Sequence, residues 1–132
     1  MSQENVEFVR RVYDGWVRGD FSEGAEVFDL DVEFDLVDWP EGSSTRGLDE
    51  MGRTWRAALD AWEGFHAEPI EFIEAGEDVV VVRNRIEARG KESGADVRAD
   101  TAAVWTLKAG KVVRLALYWN TSKALEAAGL SE

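Results

Sequence analysis

The stretch 100–120 constrains the fold more than any other part of this chain. It holds two apolar runs, 101–107 and 112–119, separated by four residues that include Gly110. Valine, tryptophan and threonine favour the half-buried surface of a sheet, and a short break with glycine is typical of a β-hairpin. Alternation along the two strands predicts one face that contains Trp105, Leu117 and Trp119. Neither face is strongly polar, so we expect both to be covered.

The remaining sequence alternates between helical and strand patterns. Apolar residues three and four apart predict amphipathic helices, and strict alternation predicts strands. Helices are predicted to begin near Ser2, Ser22, Leu48 and Thr121, and the strands before the hairpin to span 29–37, 70–75 and 79–88. Residues 40–44 are predicted to form a loop, the third helix to extend to Trp62, and Gly129 to end the last helix.

Helices segregated from a mainly antiparallel sheet define the α+β class. A strongly curved sheet, with the N-terminal helices on its concave side, would form a cone open at one end. The chain has 132 residues, which is the size of one domain, so a single domain over 1–132 is predicted.

Composition excludes several functions. The net charge of −12 argues against nucleic acid or an anionic membrane as a partner. The absence of cysteine removes disulfides and thiolate metal sites. No apolar leader and no run of transmembrane length is present, so a cytoplasmic location is predicted.

No metal is predicted. The acidic ladder 29–35 starts with the spacing of a calcium loop, but Phe34 and Pro40 occupy the positions that need glycine and glutamate. The single histidine, His66, is placed at a helix end and cannot form a transition-metal site alone.

The six tryptophans fill the core or line an apolar pocket. The predicted inner wall of the cone contains Trp16, Leu36, Trp55, Trp105, Leu117 and Trp119.

Four segments carry a family resemblance: G-D-F after the first helix, D-V-E-F-D, R-G-L-D-E and V-W-T-L-K-A-G-K-V-V. With the order of elements, they make the chain similar to the SnoaL-like proteins of the nuclear transport factor two-like superfamily, from about Gln3 to Leu130. The resemblance implies the cone fold (a cystatin-like α+β barrel). It implies no single function, because this fold hosts cyclases, isomerases, hydrolases, dehydratases and non-catalytic carriers.

The ketosteroid isomerases of this superfamily use a carboxylate base, a tyrosine and a protonated aspartic acid. Matching their segments to this chain places Leu36 at the position of the base, Val12 at the position of the tyrosine with Tyr13 beside it, and Ala103 at the position of the aspartic acid. We therefore expect none of the three catalytic residues at its matched position.

The catalytic residues of two other chemistries of the superfamily are also incomplete in this chain. When the limonene epoxide hydrolases are matched to it, Arg83 occupies the position of their arginine, but Arg85 and Leu117 occupy the positions of their two aspartates. The SnoaL-type cyclases use an aspartate in an apolar pocket, but the parity of Asp35 and Asp100 points both away from the cone.

Two function hypotheses remain. One is a cofactor-independent enzyme of the cyclase, isomerase or dehydratase type, which acts by proton transfer on a small, mostly apolar or weakly acidic molecule. The other is a small-molecule-binding or accessory homodimer that has lost its catalytic carboxylates. The candidate catalytic residues are Arg83, Arg85 and Tyr13.

Arg83 and Arg85 share one face of a strand. Either they lie on a solvated face and pair with acids, or they point into the cone and bind an acidic or enolisable oxygen.

The outer face of the hairpin predicts assembly. An exposed apolar patch of this size suggests a two-fold homodimer packed sheet to sheet. Arg114 has the parity to meet Glu33 or Asp35 beside it. The predicted patch contains Ala102, Val104, Thr106, Ala116 and Tyr118.

Overall fold

The computed structural model describes residues 2–17, 27–39, 43–60 and 62–130. Within these ranges the chain forms three helices and six strands. In chain order they are α1 (Ser2–Val17), β1 (Phe28–Leu36), β2 (Ser43–Arg46), α2 (Leu48–Leu59), β3 (Trp62–Glu74), β4 (Val79–Gly90), β5 (Asp96–Lys108), β6 (Lys111–Tyr118) and α3 (Thr121–Ala127). The predicted short helix near Ser22 lies outside the described residues.

The strands form one curved sheet in the order β2-β1-β6-β5-β4-β3. The β1–β6 pair is parallel, and the other neighbours are antiparallel. Helix α1 packs on β3 and β4, and α2 packs on β1, β2 and β3. Apolar residues of both helices join the core on the concave side. The predicted α+β cone is confirmed.

Strand β1 follows its sequence pattern from Val32 to Leu36, whereas Leu30, at a register shift, is exposed. Val32, Phe34 and Leu36 are buried, and the acidic residues between them face outward. Asp35 accepts hydrogen bonds from Arg114 Nη2 at 2.7 Å and from Nε at 3.0 Å. This confirms the predicted pairing of Arg114 with the acidic face of β1.

The β5–β6 hairpin sets the register of the cone. Ala109 and Gly110 form its turn with φ of 51° and 77°, as a two-residue turn that matches strand twist requires. Trp105 lies opposite Leu115 on the partner strand. Trp105 and Trp119 both pack in the concave-side core, so the predicted face is confirmed.

Two element boundaries were predicted wrongly. Helix α2 ends at Leu59 and β3 begins at Trp62, because residues 62–74 pair with β4 and this pairing overrides the local helical spacing. His66 therefore lies in a strand, not at a helix end. Ser43 and Ser44 belong to strand β2, which pairs with the end of β1, where the Ser44 hydroxyl donates to Asp35.

Helix α3 covers the outer face of the hairpin. Asn120 caps it by accepting a hydrogen bond from the Lys123 amide, and Gly129 follows its end at φ 80°. The resulting second core contains Val81, Ala102, Val104, Ala116, Tyr118 and Ala124. The predicted exposed patch is wrong, because the chain's own C-terminal helix buries it. A homodimer remains a prediction, but it can no longer rest on this face.

No helix of the described ranges is long and apolar enough to span a bilayer.

Candidate functional site

The interior of the cone is aromatic around Trp105. This side chain is fully buried on β5 and packs against Tyr13 of α1, with ring centroids 5.7 Å apart, and against Phe28 at 5.8 Å. Tyr13 also meets the ring edge of Phe72 on β3 at 6.0 Å. The helical stripe of α1 thus carries a phenol into the apolar centre of the cone.

A cavity of about 20 Å³ lies beside Tyr13. This is room for about one water molecule. Its lining is mostly apolar. The polar groups belong to Tyr13, Asn84 and Thr101, to a second tyrosine, Tyr118, and to the indoles of Trp39 and Trp55. The lining residues are Tyr13, Trp39, Trp55, Phe65, Ala67, Asn84, Ile86, Thr101, Ala102, Leu117 and Tyr118.

Tyr13 and Asn84 form the polar centre of this cavity. They are 2% and 5% exposed. The Asn84 amide and the Trp105 indole lie beside the Tyr13 hydroxyl and lower its pKa. Asn84 Nδ2 also donates to the Val82 carbonyl at 3.5 Å, while Asn84 Oδ1 has no partner among the described residues.

Burial raises the pKa of Tyr13 to about 12, because the apolar core disfavours the phenolate; the hydrogen bonds from Asn84 and Trp105 act in the opposite direction. Tyr13 is therefore a neutral phenol at physiological pH. A neutral phenol in a dry site can hydrogen-bond to a carbonyl oxygen or to an oxyanion.

A tryptophan cluster lies at the end of the cone where β1 and β6 finish. Trp39 lies 5.9 Å from Trp55 and 5.1 Å from Trp119 between ring centroids. Phe65 meets the edge of Trp55 at 5.6 Å. Within the described residues, the buried indole N–H groups of Trp39 and Trp119 have no hydrogen-bond acceptor.

Asp38 fixes this end of the cone. Its two carboxylate oxygens accept hydrogen bonds from the backbone amides of Trp119, at 2.6 Å, and Asn120, at 2.9 Å. The segment after β1 is thereby tied to the segment after β6, and Trp39 is held against Trp119.

Arg83 and Arg85 point away from the cone. Arg83 bonds Glu71 at 3.1 Å, and Arg85 bonds Asp100 at 3.5 Å, on the exposed outer face. The interpretation that the two arginines point into the cone is wrong. They lie on a solvated face and pair with acids, which was the alternative. Alternation on β4 turns Asn84, which lies between them, into the cavity.

The other predicted wall residues are on the concave side. Trp55 and Leu117 line the cavity, while Leu36, Trp105 and Trp119 lie in the surrounding core. The prediction for Trp16 falls on a side chain that is not among those the structure describes. Their role in ligand binding stays a prediction.

Sequence reasoning missed Asn84, Trp39 and Thr101 as lining residues. Strand parity carried the signal for Asn84, because a residue between two outward arginines must face inward. Trp39 gave no periodic signal, since it follows β1 in an irregular segment.

Leu36 and Ala103, which match the isomerase base and acid, are buried and apolar. Val12, which matches the isomerase tyrosine, and the neighbouring Tyr13 both lie in the core, and a catalytic role for Tyr13 stays a prediction. Asp35 and Asp100 face outward, as their parity predicts, and form ion pairs with Arg114 and Arg85.

Ionisation of Tyr13 should weaken the fold at high pH. Because its folded pKa lies above the ordinary value of 10.0, the stability from neutral Tyr13 is fully present below pH 10 and is lost as pH rises toward 12. We expect the stability advantage of the wild type over Tyr13→Phe to shrink by roughly 2–3 kcal/mol across this window. Urea unfolding of both proteins at stepped pH measures the difference, and a constant difference would contradict a buried phenol.

A family model for the SnoaL-like domain matches residues 9–115. The chain belongs to the SnoaL-like family. The match runs from within α1 through most of β6, and therefore includes Tyr13, Asn84 and all lining residues of the cavity except Leu117 and Tyr118. Among curated proteins, none matches the sequence.

Solved structures resemble this SnoaL-like protein closely in fold. A nuclear transport factor two-like protein of unknown function from Burkholderia pseudomallei is 22% identical, with 93% of this chain and 95% of that one covered and a TM-score of 0.78. TerC, crystallised with polyporic acid, is 23% identical, with 96% and 98% covered and a TM-score of 0.77. A ketosteroid isomerase-like protein from Catenulispora acidiphila, in complex with trimethylamine, is 21% identical, with 94% and 93% covered and a TM-score of 0.70. At these identities the likeness establishes the fold, and function depends on the site.

Proposed function

We propose that this SnoaL-like protein binds a small, mostly apolar molecule with a carbonyl or enol oxygen inside the cone and catalyses proton transfer on it without a cofactor. The observation that carries the proposal is the buried pair of Tyr13 and Asn84 in an otherwise aromatic cavity. Relatives crystallised with polyporic acid and with trimethylamine support a small-molecule site in this fold.

In this proposal, the chemistry is stabilisation of a developing oxyanion. When a proton leaves the carbon next to a carbonyl, negative charge moves to the oxygen. A neutral phenol and an amide N–H held in a dry cavity stabilise that charge more than bulk water does. Tyr13 supplies the phenol, and Asn84, bonded to its hydroxyl, positions it.

In this proposal the proton passes to a solvent water or hydroxide that enters the cavity, because among the described residues those that line the cavity include no aspartate or glutamate. Asp38 is the residue before Trp39, which lines the cavity. Its oxygens are engaged by the backbone amides of Trp119 and Asn120.

This lack of an acid in the lining favours a second candidate, a binding protein without turnover. Such a protein needs the apolar cavity and the Tyr13–Asn84 pair only to hold its ligand. The predicted homodimer, the cytoplasmic location and the single domain over 1–132 remain proposals from the sequence and are compatible with either candidate.

Deuterium exchange separates the two candidates. If the protein catalyses proton transfer, it should accelerate exchange at the carbon beside the carbonyl of small aryl ketones in D2O, followed by NMR. Tyr13→Phe should lower that rate about 100-fold, the usual effect of removing one oxyanion donor. Arg85→Met, on the outer face, should leave it unchanged.

Ketone binding without faster exchange would favour the binding protein. Loss of the rate in Arg85→Met, with Tyr13→Phe unaffected, would contradict the proposed site.

A further inference from the structure

Two side chains that line the cavity each keep a buried polar group without a partner in the described part of the chain. The indole N–H of Trp39 lacks an acceptor, and Oδ1 of Asn84 lacks a donor. The two residues are 9% and 5% exposed. An indole N–H can only donate a hydrogen bond, and an amide oxygen can only accept one.

Unpaired polar groups of this kind are rare in native interiors, because a buried group without a partner loses its hydration and gains nothing in return. Both residues lie in the wall of one cavity. One of the two unpaired groups is a hydrogen-bond donor and the other is an acceptor. A ligand that satisfies both must carry an acceptor for Trp39 and a donor for Asn84. The wall around them, with Trp55, Phe65 and Leu117, suits a flat apolar body.

Charge decides what kind of acceptor the ligand carries. Among the described residues, those lining the cavity include no lysine or arginine, and Arg83 and Arg85 are paired on the outer face. Asp38 adjoins Trp39, and the net charge of the chain is −12. A carboxylate buried here would have no cation to pair with, which is strongly unfavourable.

We propose that the cavity selects a neutral, flat hydroxy-carbonyl compound, whose carbonyl oxygen accepts from the Trp39 indole as well as from the Tyr13 phenol of the proposed function, and whose hydroxyl donates to Asn84 Oδ1. This inference rests on the proposed function, because it takes the cavity as the ligand site, and it narrows the ligand class from apolar or weakly acidic to neutral. The cavity of about 20 Å³ is smaller than such a molecule. Binding therefore requires the rings of Trp39 and Trp55 to move apart.

Four matched probes test the two contacts. 4-Hydroxyacetophenone has both groups, 4-ethylphenol lacks the carbonyl, 4-methylacetophenone lacks the hydroxyl, and 4-hydroxybenzoate carries a charge. NMR titration of the wild type at neutral pH should give the tightest binding for 4-hydroxyacetophenone. Each missing group should weaken binding about tenfold, and 4-hydroxybenzoate should bind weakest.

Variants assign each preference to a residue. Trp39→Phe keeps an aromatic ring but has no N–H, so it should abolish the preference for 4-hydroxyacetophenone over 4-ethylphenol. Asn84→Leu should abolish the preference over 4-methylacetophenone. Trp62→Phe is the matched control, because Trp62 contacts Trp119 at 6.5 Å but is not among the lining residues; it should keep both preferences.

The outcomes separate this inference from the proposed function. Probes that bind the wild type with equal affinity, or preferences that survive in Trp39→Phe and Asn84→Leu, would overturn the neutral two-contact ligand while the cavity remains the site. Tightest binding of 4-hydroxybenzoate would overturn the charge argument. No binding of any probe to the wild type would overturn the proposed site and this inference with it.

Discussion

Replacing Ala124 with Asp is expected to destabilise the protein by about 3–4 kcal/mol and to make it self-associate. Ala124 is fully buried where α3 packs on the outer face of the hairpin. A carboxylate there must lose its water or push the helix off the sheet. Either way Ala102, Val104 and Tyr118 become exposed and form the patch through which copies of the chain can associate.

The matched control is Ala127→Asp on the same helix. Ala127 is exposed, so the same substitution should change the stability by less than about 1 kcal/mol and leave the particle size unchanged. Urea unfolding measures the stability, and light scattering measures the size. Equal effects of the two variants would show that α3 does not cover the hairpin.

Trp105→Ala is expected to cost about 3–5 kcal/mol of stability, because it opens a large cavity in a packed core. Trp105 is fully buried and contacts Tyr13 and Phe28, which join α1 and β1 to the hairpin. Chemical denaturation of Trp62→Ala provides the comparison, since Trp62 is only half-buried. A loss from Trp105→Ala no larger than that from Trp62→Ala would contradict the placement of Trp105 at the centre of the cone.

Much of the fold could be predicted because local pattern and tertiary packing agree. The alternation in β1 and the apolar stripe of α1 each leave one possible buried face. The hairpin register followed in the same way, so Trp105 and Trp119 were correctly placed together.

The failures have a common physical cause, which is that long-range contacts decide between locally equivalent choices. The helical spacing of α2 extends to Trp62, but pairing with β4 makes a strand that starts at Trp62. The apolar outer face of the hairpin fits either a second copy or the chain's own tail, and α3 occupies it. No local rule distinguishes these alternatives.

The site was the least predictable part. Arg83 and Arg85, which interrupt an apolar strand, were offered as site residues but lie on the outer face, while Asn84 between them faces inward and was not offered. Trp39 lines the cavity only because Asp38 ties its segment to Trp119 and Asn120, a contact between residues about eighty positions apart.

The central claim is that the ligand site lies inside the cone at Tyr13, Asn84 and Trp39. A crystal structure of the protein with bound 4-hydroxyacetophenone tests it most directly. We predict that the ring lies between Trp55 and Leu117, with the hydroxyl at Asn84 and the carbonyl at Trp39 and Tyr13. Density for the compound on the outer face beside Arg83 and Arg85, with the interior of the cone unchanged, would contradict the claim.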